Sequence, residues 1–78
     1  MLKKDKRKIL NRIKVVLVEK NLTNNWLAEE LGKSPTTVSR WCTNDVQPTL
    51  TTLNVIADLL GVDIHELIVS SKTKQING

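Results

Sequence analysis

Gly32 constrains this chain more than any other residue. It stands between Leu27-Ala28-Glu29-Glu30-Leu31 and Ser34-Pro35, with Val38 and Trp41 following. Glycine reaches the left-handed conformation that other residues reach only at a cost, so it stops one helix sharply. Ser34 then caps the next helix, and Pro35 sits at its first position, where a missing N–H costs nothing. Ala28 is small, so a second helix can cross close to the first. Val38 and Trp41 fold that second helix back onto Leu27, Ala28 and Leu31. The spacing therefore predicts two short helices at a steep angle. The outer face of the second is left with Thr36, Thr37, Ser39 and Arg40, short polar residues and one long cation, which is what a groove reader needs.

The rest of the chain reads as helix as well. No stretch alternates apolar and polar residues between turn residues, so strands are not expected. A first helix is predicted from Asp5 to Lys20, with Ile9, Ile13 and Val16 on one side and Leu10 and Leu17 widening the stripe. Asn21 suits the left-handed residue that ends it. Thr23 caps the second helix. The loop Thr43–Pro48 follows the third, with Asn44 able to take positive φ. Thr49 caps a fourth helix whose stripe is Leu50, Leu53, Ile56, Ala57 and Leu60, ended by Gly61. Asp63 and Glu66 fit the capping-box spacing of a fifth, with apolar Ile64, Leu67 and Ile68. Residues 70–78 are polar and expected to fray.

The 78 residues suffice for one domain, here residues 9–69 with a helix-turn-helix over 24–42. With no Tyr or Phe and two Trp, its core must be aliphatic. A core this small favours pairing with a second copy. The net charge of +4 is uneven. Residues 1–20 carry eight cations against Asp5 and Glu19, a net +6, and residues 21–78 carry four against six acids, a net −2. A basic end either attracts nucleic acid or a lipid surface, or keeps the domain soluble. Lys3–Lys8 accordingly reads as an arm on a DNA backbone or as a solvated helix start.

Several classes of function are not expected. One cysteine, Cys42, forms no internal disulfide, and with His65 alone it makes no structural zinc site. Cys42 reads as an inert thiol and His65 as a surface residue. The longest apolar run, Val15–Val18, is far too short to span a membrane. With no signal-peptide pattern, a cytoplasmic location is expected. No nucleophile with a base, carboxylate pair or phosphate loop points to an enzyme, and no cofactor or small-molecule ligand is expected. Trp41 belongs to the core. Trp26 either packs against a neighbouring element or meets a partner.

These residues resemble the Cro/repressor-type, or Xre-type, helix-turn-helix family of bacterial and phage regulators. The matching stretches are Leu22-Thr23, Trp26 through Gly32, Ser34 through Trp41, Gln47-Pro48-Thr49-Leu50, Leu59 through Val62, and Glu66-Leu67. The resemblance covers about three quarters of the chain, residues 9–68. It implies an all-α, five-helix, lambda-repressor-like domain, a homodimer on an inverted-repeat operator in double-stranded DNA, and Ser34–Trp41 in the major groove. Carried over position by position, base contacts fall to Ser34, Pro35, Thr36, Ser39 and Arg40. Phosphate contacts fall to Thr23, Asn24, Lys33, Thr37 and Thr43. Arg40 is the candidate for direct readout, since its fork matches O6 and N7 of guanine.

The chain departs from the family pattern in three places. Pro35 offers only apolar contact, Asn24 stands where Gln is usual, and Cys42-Thr43-Asn44 replaces a Glu-Asn-Gly run. Surplus apolar residues on the first and last helices imply a dimer through Ile64, Leu67 and Ile68, with two recognition helices roughly 34 Å apart. The implied function is a small transcriptional regulator, akin to a repressor or a restriction–modification controller. The alternative is an antitoxin-like module whose main partner is a protein.

Overall fold

The computed structural model describes residues 9–69. The Lys3–Lys8 arm and the tail at 70–78 lie outside them. Four α-helices follow in order: α1 (Ile13–Glu19), α2 (Asn24–Leu31), α3 (Pro35–Cys42) and α4 (Leu50–Leu60). A single 3-10 turn, Ile64–Leu67, completes the order. The all-α class expected from the sequence is what is found.

Three of the four helices start on the expected caps. Thr23, Ser34 and Thr49 each accept the backbone N–H three residues on, from Trp26, Thr37 and Thr52. All four helices stop in one way. A left-handed residue (Asn21, Gly32, Asn44 or Gly61) has φ between 60 and 69°. Its N–H returns to the carbonyl three back, and the next N–H to the carbonyl five back, as in Lys33 N to Ala28 O at 2.9 Å. Both bonds satisfy carbonyls that a helix end leaves orphaned.

The core is aliphatic apart from Trp41. Ile13, Val16 and Leu17 of α1 meet Leu27 and Ala28 of α2, Val38 and Trp41 of α3, Leu53, Ile56, Ala57 and Leu60 of α4, and Leu67. Leu31 and Trp26 are half-buried against it. Trp26 thus packs against its neighbours while keeping part of its surface exposed.

Both ends of the domain differ from expectation, for one shared reason. The first helix begins at Ile13, not Asp5, and Ile9 and Leu10 are exposed instead of joining the apolar stripe. Residues 10–12 spend their backbone groups elsewhere. Arg12 N donates to Leu67 O at 2.9 Å, and Val69 N donates to Leu10 O at 3.0 Å. Asn11 and Ile68 form an antiparallel bridge. A chain pinned in extended form cannot continue a helix backwards, and Ile68, itself extended, cannot continue one forwards. The expected fifth helix is therefore one 3-10 turn. The Asp63–Glu66 capping box does not form either, because the Asp63 carboxylate accepts from His65 N at 2.8 Å.

Two side-chain placements are also corrected. Leu67 is fully buried in the core of the single chain, so it is no dimer contact. Leu50, expected inside, is 70% exposed at the first position of α4.

Candidate nucleic-acid interface

The α2–α3 pair is built as its sequence requires. Gly32 turns the chain at φ 68°, and a Cβ there would meet nothing within 4 Å, so the backbone conformation alone selects glycine. Val38 and Trp41 face inward, which turns Pro35, Thr36, Ser39 and Arg40 outward, all exposed. Arg40 lies in the last turn of α3, where a cation suits the helix dipole. Its guanidinium has no ion-pair partner among the described residues, and is available to an outside acceptor.

The other candidates divide by what already holds them. Ser34 Oγ accepts from Thr37 N at 3.1 Å and pairs with Thr37 Oγ1 at 3.0 Å, so both hydroxyls first serve the start of α3. Thr37 is half-buried, whereas Ser34 is exposed. Thr43, just past α3, is exposed and its hydroxyl donates to Arg40 O at 3.2 Å. Lys33 is exposed in the turn between the helices.

Thr23 and Asn24 sit at the start of α2, as expected for a phosphate-facing end. Asn24 Oδ1, however, accepts from Lys14 Nζ at 3.1 Å and from Cys42 Sγ at 3.5 Å. Asn24 is half-buried, with the Lys14 ammonium beside it. Lys14 is a candidate that sequence reading missed. It lies ten positions upstream on α1, and no local pattern links it to the start of α2. The Cys42 thiol is pushed up from its ordinary pKa by burial, against a smaller downward pull from Lys14. A protonated, half-buried thiol fits the inert reading. His65 is exposed as expected, with Nδ1 2.7 Å from Asp63 Oδ1.

The loop after α3 carries little charge but a good deal of structure. Asn11 and Asn44 interlock beneath it, joined by Gln47, and neither asparagine was a candidate site residue in the sequence. Away from this face, Leu50, Thr51, Asn54, Ile64 and Ile68 line a largely apolar groove of about 470 Å³. Among the described residues, no group of three or more His, Cys, Asp or Glu could hold a metal ion, and no helix is long and apolar enough to cross a membrane.

The helix-turn-helix family model matches residues 13–67. The chain is also similar to the crystal structure of a candidate DNA-binding protein from Bacteroides fragilis. The identity is 60% over 77% of this chain and 97% of that one, with a TM-score of 0.76. No curated protein matches significantly.

Proposed function

The chain belongs to the helix-turn-helix family, and from that premise we propose that it binds double-stranded DNA by sequence, as a small cytoplasmic transcriptional regulator. The observation that carries this is the outward face of α3, where Thr36, Ser39 and an Arg40 with no ion-pair partner among the described residues stand together on a packed helix. Arg40 reads a guanine edge from the major groove. Pro35 and Thr36 supply apolar contact, and Ser34 and Ser39 flank them. Thr23, Asn24, Lys33, Thr37 and Thr43 face phosphates on either side, with Lys14 added beside Asn24.

Two copies act together on an inverted repeat. Ile64 and Ile68, with Leu50 in place of the buried Leu67, offer a self-complementary apolar groove for the second copy. The protein's regulatory role is that of a repressor or a restriction–modification controller. The antitoxin-like alternative draws its support from the same groove, which a foreign protein could fill instead.

Selection from a random duplex pool tests the reading. We expect one enriched inverted repeat, with half-sites about one turn apart. Binding without consensus, vanishing for every sequence at moderate salt, would mark a non-specific binder. Arg40→Ala should relax one position per half-site by about 1–3 kcal/mol. An equal loss on all sequences would instead make Arg40 a phosphate contact.

A further inference from the structure

Asn11 and Asn44 are the two buried polar side chains among the described residues, 5% and 6% exposed. Each carboxamide is engaged at both its oxygen and its nitrogen. Asn44 Oδ1 accepts from Leu10 N and Asn11 N, both at 2.9 Å, and from Gln47 Nε2 at 3.0 Å. Asn44 Nδ2 donates to Asn11 O at 3.3 Å. Asn11 Nδ2 donates to Trp41 O at 2.9 Å and to Gln47 Oε1 at 2.7 Å, and Asn11 Oδ1 accepts from Ile13 N at 3.0 Å.

Stopping α3 does not require this. Gly32 and Gly61 end α2 and α4 with the same backbone bonds and no side chain. The carboxamide at 44 therefore has a second task, and its neighbours identify it. Asp45 N at 2.9 Å, Val46 N at 3.4 Å and Thr43 Oγ1 at 3.2 Å all converge on the carbonyl of Arg40. Asn44 N at 3.0 Å and Asn11 Nδ2 at 2.9 Å converge on the carbonyl of Trp41. The backbone that carries the Arg40 side chain is thus anchored to the loop, and the loop is anchored through Asn11 to the start of α1. A planar fork reading a base edge tolerates displacements of only about 0.5 Å, so its root must be held.

We infer that Asn11 and Asn44, bridged by Gln47, are positioning residues for DNA recognition that fix where Arg40 is presented. The inference rests on the assignment of α3 as the DNA reader. It concerns discrimination between sequences and leaves general attraction to phosphate unaffected.

Asn44→Gly separates the two tasks of this residue. Glycine keeps the left-handed stop and removes the carboxamide. We expect a cooperative melt to persist and non-specific binding to keep its affinity and salt dependence. Preference for the selected operator over a scrambled duplex should fall by between about fivefold and a hundredfold, the worth of one guanidinium–guanine pair. Gln47→Ala, at an exposed position, should fold in any event and reduce preference by at least about fivefold, the worth of one of the two neutral hydrogen bonds it loses.

Should Asn44→Gly fail to fold, Gln47→Ala decides alone. Folded variants with wild-type preference overturn the inference, as does a loss that is equal for every sequence. If the wild type itself selects no consensus, the DNA-reading assignment fails, and this inference with it. If the wild type selects one and the variants keep it, only the inference fails.

Discussion

Asp63 shows how little of a residue's chemistry has to be long-range. The backbone N–H of His65 first, and its ring second, hold the Asp63 carboxyl below the ordinary carboxylate range. A folded pKa below the unfolded one means a contribution present above about pH 3.9 and lost as pH falls through the folded value. Titration of the Asp63 carboxyl by NMR should give a midpoint below that of an Asp in a short peptide, and an equal midpoint would remove the cap from the account. Cys42 moves the other way. Its thiol should alkylate more slowly at pH 8 in the native protein than after unfolding, and equal rates would contradict its burial. Caps such as Thr23, Ser34 and Thr49 were legible in the sequence because donor and acceptor lie three residues apart. Asn11 and Asn44 were not, since the bonds that define them cross 30 positions or more.

At the scale of elements, the left-handed stops carry the clearest consequences. Nothing crowds a Cβ at Gly32, so Gly32→Ala is resisted by backbone conformation alone. It should destabilise the domain by about 1–2 kcal/mol in thermal or urea unfolding. Gly32→Asn should cost less, because the chain already uses Asn at two of its four stops. The middle of the fold, α2 through α4, could be read from such local signals together with helical periodicity. Its ends could not. Helical period carries the first helix back to Asp5 because Ile9 and Leu10 match it, and period says nothing of carbonyls and amides already paired with residues 67 and 69. The same pairing shortened the last helix to one turn. The outward face of α3 was legible because Gly32, Val38 and Trp41 leave the chain one way to turn. Lys14 was not, because only the tertiary fold sets it against Asn24.

For the whole molecule, the apolar residues fall into two sets that should behave differently. Leu67 is part of the single chain's core. Leu67→Ala should cost about 2–5 kcal/mol, enough to unfold much of so small a domain. Leu50 and Ile68, 70% and 40% exposed, should tolerate charge in the single chain. Ile68→Lys should therefore leave the helical circular dichroism and non-specific binding intact, turn a dimer into a monomer in sedimentation at micromolar concentration, and weaken operator binding. A wild-type protein that sediments only as a monomer would remove the groove's assigned occupant.

The bond from Val69 N to Leu10 O, 3.0 Å long, has a bearing on how the gene could be rearranged. Because the chain enters and leaves the domain at one spot, a short linker could join residue 69 to residue 10 and close the backbone into a ring. Cargo fused before residue 10 or after residue 69 would depart from the same flank. That flank is tied through Asn11 to the end of the reader helix, so a bulky fusion placed directly at residue 10 or at residue 69 should impede access to DNA alike.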